Sequence, residues 1–242
     1  MRFAVISDVH GNVDALRAVL DDMEKLKVPE FINLGDHLSG PLSAAETADL
    51  LMSCAMPSIR GNCDRELVET PRGQLELSDS QALAQLSKRH LDWLRAQPAT
   101  RVFRDDVLMC HGTPNTDMDY WLDQVQPGGH VTIAALEMIR AKVAGLPQSL
   151  MLCGHSHLPR AVQVPDGPLI VNPGSVGLPA YEAGSYVIIT GSPHARYAII
   201  ERSERQWDVT FRLVPYDTAK MAALAEERGR PEWARAIRTG WI

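Results

Sequence analysis

The chain has 242 residues, 45% of them hydrophobic and 22% charged, which suits one α/β domain with a buried core of its own. Its formal net charge of −6 excludes a broadly basic surface, so non-specific nucleic-acid binding is not predicted. No apolar run reaches the roughly 18 residues of a membrane span, and the four cysteines show no Cys-x-x-Cys spacing. We therefore expect a soluble cytoplasmic protein with reduced thiols.

The first quarter of the chain alternates short apolar runs with amphipathic segments, which is typical of an α/β layered fold. Strands are predicted over residues 2–7, 31–34 and 57–60. Between the first two, Asn12 is a suitable N-cap for a helix that begins at Val13. Ser43 with Glu46 forms a capping-box pattern, which predicts a second helix through about Cys54.

The remainder of the chain predicts further strands, two central helices and a helical C-terminal segment. Leu83, Leu86, Trp93 and Leu94 mark one helix, and a second is predicted over about 133–143. Strands are predicted over 102–110, 150–153, 161–164 and 169–171, followed by a meander of three β-like runs over 185–214. We expect a single domain over 1–242, in which residues 215–242 add a C-terminal helical cap.

Polar clusters follow five of the predicted strands. They are Asp8-Val9-His10, Gly35-Asp36, Gly61-Asn62-Cys63-Asp64, His111-Gly112 and Gly154-His155-Ser156-His157. If the backbone stays extended, Asp8 and His10 project the same way. Because functional crevices of open α/β sheets lie outside the carboxyl ends of the strands, we expect the clusters to converge there. Carboxylate, imidazole and amide ligands suit manganese, iron, zinc or cobalt, and not a structural zinc held by thiolates.

The order Asp-x-His, Gly-Asp, Gly-Asn-x-Asp, His-Gly, Gly-His-x-His resembles the calcineurin-like metallophosphoesterase family. The later Asn172-Pro173-Gly174-Ser175 resembles the family's small bacterial and archaeal phosphodiesterase branch. The resemblance implies a four-layer α/β/β/α sandwich of two packed mixed β-sheets flanked by helices. A dinuclear metal site would lie at the carboxyl ends of the strands. It also implies hydrolysis of phosphate esters, with phosphodiesters preferred. Phosphomonoesters, dinucleoside polyphosphates and a non-catalytic scaffold of the same fold are the alternatives.

Carried onto this chain, the resemblance implies two ligand sets that share one carboxylate. The first set is Asp8, His10, Asp36 and His157. The second set is Asp36, Asn62, His111 and His155, and Asn62 is also counted as a catalytic residue. The implied cofactors are two transition-metal ions, manganese by preference and iron, zinc, nickel or cobalt otherwise. A hydroxide bridging them would be the nucleophile. The implied partner is a small phosphate ester or nucleotide, and a homo-oligomer is left open.

Cys63 stands where many members of the family carry a histidine that contacts the phosphate. A thiol with an ordinary pKa of about 8.5 is a poor substitute for an imidazole as general acid. We hypothesise that His37, next to Asp36, takes that catalytic role, with a turn or supporting role as the alternative. Arg60 and Arg65 flank the third cluster and are predicted to bind substrate phosphate, with a structural ion pair as the alternative.

The substrate-binding walls are expected in three stretches that carry no recognisable motif. These are residues 71–80, residues 113–129 and the C-terminal cap. Within the second stretch, Tyr120 and Trp121 are candidates for a pocket wall, with a place in the core or a lid as the alternative.

Overall fold

The computed structural model describes residues 1–204 and 206–242. Its strands are β1 (Arg2–Ile6), β2 (Phe31–Asn33), β3 (Thr100–Phe103), β4 (Val107–Cys110), β5 (Asp123–Val125), β6 (Val131–Ile133), β7 (Leu150–Leu152), β8 (Arg160–Gln163), β9 (Leu169–Asn172), β10 (Ala180–Ala183), β11 (Tyr186–Ile189), β12 (Ala195–Ser203) and β13 (Gln206–Val214). Its helices are α1 (Val13–Lys25), α2 (Ala44–Ser53), α3 (Asn62–Glu69), α4 (Leu77–Leu83), α5 (Lys88–Ala96), α6 (Leu136–Ala141), α7 (Ala219–Glu227) and α8 (Pro231–Thr239).

Two mixed sheets form the centre of the molecule. The first has the order β13-β12-β1-β2, in which β1 and β2 are parallel and the other pairs are antiparallel. The second has the order β3-β4-β7-β9-β8, with a parallel centre of β4, β7 and β9 and an antiparallel strand at each edge. Two smaller hairpins, β5–β6 and β10–β11, lie outside these sheets.

The alternation of side chains along β1 explains the layering. Phe3 and Val5 belong to the apolar cluster that also contains Met109 and Leu152 of the second sheet, so this cluster fills the space between the sheets. Ala4 and Ile6 belong instead to the cluster that contains the buried face of α1 and α2. On the outer face of the second sheet, Leu108, Cys110, Met151 and Cys153 pack with Trp121 and Ile139. The predicted four-layer α/β/β/α sandwich is therefore confirmed.

Both predicted N-caps precede helices, but only one of them caps with its side chain. Asn12 accepts a hydrogen bond from the backbone N–H of Ala15 at 3.1 Å. Ser43 precedes α2 without a side-chain cap, and Glu46 lies 2.6 Å from Arg17. The predicted capping box at α2 is therefore wrong, because the arginine from α1 competes for the glutamate.

Several predicted elements differ in the structure. Residues 57–60 pair with β2 only through the bridge between Asn33 and Ser58, and do not form a strand. Residues 102–110 form parts of the β3–β4 hairpin, because Arg104 and Asp105 have φ of 50° and 64° and turn the chain. The helix predicted over 133–143 divides into the end of β6 and the shorter α6. The helix marked by Leu83 to Leu94 is two helices, α4 and α5.

The predicted C-terminal helical cap consists of two helices with a break between them. Gly229 has φ of 74° between α7 and α8. Met221 and Ile237 of these helices pack with Val13 and Leu42, so the cap lies against the beginning of α1. Of the helices in the described residues, none combines the length and apolar character that crossing a membrane requires.

Candidate metal centre and its cleft

The loops that follow β1, β2, β4 and β7 bring six of the seven predicted ligands into two groups. One group is Asp8, His10 and His157, and the other is Asp36, His111 and His155. Within each group the potential ligand atoms lie within 4.8 Å of one another. Asp36 links its own group to the other, since its Oδ2 is 3.2 Å from His111 Nε2 and 3.9 Å from His10 Nε2. Asn62, the seventh predicted ligand, begins α3 and lines the same cleft.

Strained backbone carries most of these side chains. Asp8, His10, Asp36, His155 and His157 all have φ between 49° and 67°. Non-glycine residues rarely adopt this conformation, which costs about 1–3 kcal/mol each and tends to occur at functional sites. An extended backbone, the condition under which Asp8 and His10 would project the same way, is therefore not met. Their N–H groups instead donate to the carbonyls of Gly35 and Asp36, at 3.0 Å each, which joins the first two loops.

Each of the four histidines uses one ring nitrogen to donate to a backbone carbonyl. The bonds are His10 Nδ1 to Ser39 (3.2 Å), His111 Nδ1 to Leu34 (2.8 Å), His157 Nδ1 to Leu178 (2.7 Å) and His155 Nε2 to Met118 (3.0 Å). A carbonyl oxygen can only accept, so the nitrogen that faces it carries the hydrogen. The other nitrogen of each neutral ring then presents a lone pair, as metal-ligating histidines do.

The remaining lone pairs meet inside the site. His10 Nε2 and His157 Nε2 lie 3.2 Å apart, and neither carries a hydrogen when its ring is neutral. Among the described residues, the buried atoms Asp8 Oδ1, Asn62 Oδ1 and His111 Nε2 have no hydrogen-bond partner. Facing lone pairs repel, and buried acceptors without a partner are costly unless a cation lies between them. The donor set therefore fits divalent transition metals.

The charges of the buried side chains also suit a cation. Burial opposes ionisation of Asp36, but His111 and His10 outweigh burial and hold its pKa well below the ordinary value. Burial lowers the pKa of His111, whereas Asp36 and Asp8 raise it, with a net pKa of about 10. Without a metal this ring is therefore protonated at neutral pH, and a bound cation would take the place of the hydrogen on Nε2 and free the lone pair. Burial and His111 lower the pKa of His155 to about 4. Burial opposes ionisation of Asp8 too, but His157 and His111 outweigh burial and lower its pKa. The two carboxylates are thus anionic at neutral pH and attract positive charge.

Asp64 holds the second and third loops together, a role that the sequence reasoning missed. Its carboxylate is fully buried and accepts from the backbone N–H groups of Asp36 (2.8 Å), His37 (2.9 Å) and Gly61 (3.0 Å). Gly61 precedes α3, and a Cβ there would collide with the Asp36 carboxylate. The available signal was the position of Asp64 at the third residue of a helix, where an acidic side chain reaches back to the N-cap.

His37 does not reach the cleft, and the geometry contradicts its predicted role as general acid. Its side chain is fully buried, with Nδ1 2.6 Å from Asp64 Oδ2 and Nε2 2.8 Å from Ser58 Oγ. Its ring packs edge-on against Trp93. Because both ring nitrogens already have partners inside the protein, His37 supports Asp64, which agrees with the alternative of a supporting role.

Arg60 and Arg65 form ion pairs outside the cleft, so the structure also argues against their predicted contact with substrate. Arg65 makes two hydrogen bonds to Asp117, at 2.7 and 3.1 Å. Arg60 lies 3.2 Å from Glu69. Neither arginine is among the residues that line the cleft.

Replacing Arg65 tests whether its side chain contacts substrate or only pairs with Asp117. We expect Arg65→Ala to lower the free energy of unfolding by at most about 1 kcal/mol and to leave kcat/KM within about two-fold, since the ion pair is partly exposed. Steady-state kinetics and denaturant unfolding measure the two effects, with Arg60→Ala as the matched variant. A tenfold or larger rise in KM for Arg65→Ala alone would instead show that Arg65 contacts the substrate phosphate.

A cleft of about 600 Å³ opens over the candidate ligands. All three predicted wall stretches contribute to it: Glu76, Ser78 and Asp79 from the first, Met118 and Tyr120 from the second, and Arg230, Glu232, Trp233 and Ile242 from the cap. Trp121 is instead buried in the core, where its indole N–H donates to Ile139 O at 3.2 Å. The sequence reasoning missed the β10–β11 hairpin, which adds Tyr181 and Tyr186 to the wall.

Known proteins resemble this chain over most of its length. A metallophosphoesterase of Sphaerobacter thermophilus, known from a crystal structure, is 26% identical, with a TM-score of 0.77 and coverage of 98% of each chain. An uncharacterized protein of Methanocaldococcus jannaschii is 24% identical over 253 residues, which cover 95% of this chain and 94% of that protein. The family model for the calcineurin-like phosphoesterase superfamily domain matches residues 1–192. The chain therefore belongs to the calcineurin-like phosphoesterase superfamily and is a hydrolase of phosphate esters.

Proposed function

We propose that this protein hydrolyses phosphodiesters at a dinuclear transition-metal centre, with manganese as the preferred metal. The observation that carries the proposal is the pair of ligand groups linked by Asp36, in which the lone pairs of His10 and His157 face one another and buried ligand atoms have no partner. Asp8, His10, Asp36 and His157 would hold one ion, and Asp36, Asn62, His111 and His155 the other. When bound, the two ions would supply an activated hydroxide and neutralise charge on the phosphate.

The protein groups around this centre orient the shared carboxylate and shape the space for the ester. The backbone N–H of Cys63 donates to Asp36 Oδ1 at 3.0 Å, which directs Oδ2 towards His111. Among the described residues that line the cleft, the only imidazoles are those of His10, His155 and His157, which are all candidate ligands. No imidazole is therefore left to protonate the leaving group, and we expect turnover to depend strongly on the acidity of the leaving alcohol.

The charge of the cleft favours diesters over more highly charged substrates. Beyond the candidate ligands, the described lining residues include the four acidic side chains Glu76, Asp79, Glu182 and Glu232. Arg230 is the one basic residue among them, and it pairs with Glu232. A diester carries a single negative charge, whereas a monoester or a dinucleoside polyphosphate carries more. Because repulsion from the acidic walls grows with substrate charge, the diester is the preferred substrate class.

A substrate panel on metal-reconstituted protein tests the proposal. The protein is stripped with a chelator, loaded with Mn²⁺, Ni²⁺ or Zn²⁺, and assayed with bis(p-nitrophenyl) phosphate, p-nitrophenyl phosphate, cyclic nucleotides and a dinucleoside polyphosphate. We expect two metal equivalents per chain and a kcat/KM for the diester at least about tenfold above that for the monoester. Preference for the monoester or the polyphosphate would overturn the substrate class. Absence of both bound metal and turnover would support the scaffold alternative.

A further inference from the structure

Three tyrosine side chains form a continuous chain of hydroxyl groups beside His155. Tyr120 lies in the segment before β5, whereas Tyr181 and Tyr186 lie on β10 and β11. The hairpin register pairs Tyr181 with Ile188 and Ala183 with Tyr186, so the two tyrosines share one face of the hairpin. Tyr120 Oη lies 2.6 Å from Tyr181 Oη and 2.8 Å from Tyr186 Oη.

The direction of this chain follows from its last bond. Tyr181 Oη lies 3.1 Å from the backbone carbonyl of His155, which can only accept a hydrogen bond. A phenol has a single hydrogen, so Tyr181 must accept from Tyr120, and Tyr120 must accept from Tyr186. All three hydroxyl hydrogens are therefore committed in one direction, and the chain ends on the backbone of a candidate metal ligand.

The residue at the end of the chain is one whose backbone needs support. His155 has φ of 67°, and such strain persists only where the surroundings over-determine it. The Tyr181 hydroxyl donates to the backbone carbonyl of His155. The centroid of the Tyr120 ring lies 4.9 Å from that of the His155 imidazole, whose Nε2 donates to the carbonyl of Met118. The segment around Tyr120 and the hairpin thus hold both the backbone and the ring of His155.

The other candidate metal set is held differently. The imidazoles of His10 and His157 donate to the backbone carbonyls of Ser39 and Leu178. The backbone N–H groups of Asp8 and His10 donate to carbonyls of the loop after β2. The Tyr181 ring packs against His157 at 4.6 Å between centroids, a contact that survives removal of the hydroxyl. Loss of a tyrosine hydroxyl should therefore weaken the position of His155 and spare this set.

We propose that the Tyr186–Tyr120–Tyr181 chain is a positioning device that sets the affinity of the metal site formed by Asp36, Asn62, His111 and His155. The inference rests on the proposed dinuclear function. Groups that orient a metal ligand typically change metal affinity by about 10–100-fold when they are removed. The three tyrosines therefore make the metal affinities of the two sites unequal, and the site that contains His155 depends on the β10–β11 hairpin.

Tyrosine-to-phenylalanine variants of the full-length protein test this inference, because each variant removes one hydroxyl and keeps the ring. Calorimetric titration of chelator-treated protein with Mn²⁺ gives the affinity of each site, and the binding event lost in His155→Ala identifies the second site. We expect Tyr181→Phe to weaken that event about 10–100-fold and to leave the other within about two-fold. Tyr120→Phe keeps the bond from Tyr181 to His155 but removes the bond that orients the Tyr181 hydroxyl, so it should weaken the same event by a smaller factor. Tyr186→Phe, which leaves the last two bonds intact, should weaken it by less than about tenfold.

Tyr197→Phe is the matched control, since its hydroxyl bonds to Asp22 at 2.7 Å outside the cleft, and it should leave both binding events unchanged. For Tyr181→Phe, excess Mn²⁺ should restore kcat, because the ligands themselves are intact. If Tyr181→Phe does not fold, Tyr120→Phe carries the test, with a smaller weakening that is confined to the same event. Unchanged affinities, or equal weakening of both events, would overturn the inference alone. Wild-type protein that binds fewer than two ions would overturn the proposed dinuclear function as well.

Discussion

Asp36→Asn is expected to lower kcat/KM for a phosphodiester by at least roughly 10³-fold, because it removes the carboxylate that the two metal sites share. Asp36 Oδ2 lies 3.2 Å from His111 Nε2 of one group and 3.9 Å from His10 Nε2 of the other. The amide keeps the shape of the side chain but removes its negative charge and replaces one oxygen ligand with a nitrogen that carries hydrogens. Both ions should therefore bind more weakly.

Metal content by mass spectrometry and steady-state kinetics with bis(p-nitrophenyl) phosphate measure this effect. Asp117→Asn is the matched control, since that carboxylate pairs with Arg65 away from the cleft and should leave metal content unchanged. An Asp36→Asn protein that keeps two ions and more than about a tenth of the wild-type kcat/KM would contradict the shared-ligand role.

Asp64→Ala is expected to reduce the free energy of unfolding by about 3 kcal/mol or more, although Asp64 is not a predicted ligand. The substitution leaves the buried N–H groups of Asp36, His37 and Gly61 without their acceptor. Because the same bonds align the loop of Asp36 with the first turn of α3, we also expect loss of metal binding.

Denaturant unfolding of chelator-treated protein separates the structural effect from the effect of metal loss. Asp117→Ala serves as the control and should change the free energy of unfolding by less than about 1 kcal/mol, as is usual for partly exposed ion pairs. If Asp64→Ala also changed the free energy of unfolding by less than about 1 kcal/mol and kept normal metal content, Asp64 would not join the loops.

Local chemistry along the chain was enough to predict an α/β layered fold and the convergence of the polar clusters, whereas the four-layer sandwich followed from the resemblance of the motifs to a known family. The continuous apolar run of β1 predicted a buried strand, and the structure places Phe3 and Val5 between the sheets and Ala4 and Ile6 under the helices. The Asp-x-His and Gly-His-x-His motifs lie at strand ends, and parallel strands bring such ends to one edge. The family and its reaction class follow from motif order, which the domain match bears out.

The partners of individual side chains were decided only by the tertiary structure. Arg65 meets Asp117 and Tyr120 meets Tyr181 across 52 and 61 residues of sequence, and adjacency to Asp36 did not bring His37 into the cleft. Sequence position describes neighbours along the chain, whereas hydrogen-bond partners depend on how distant loops pack in three dimensions. For the same reason, the sequence predicted the candidate metal ligands of this hydrolase, but only the packed structure showed the tyrosines and Asp64 that hold these side chains in place.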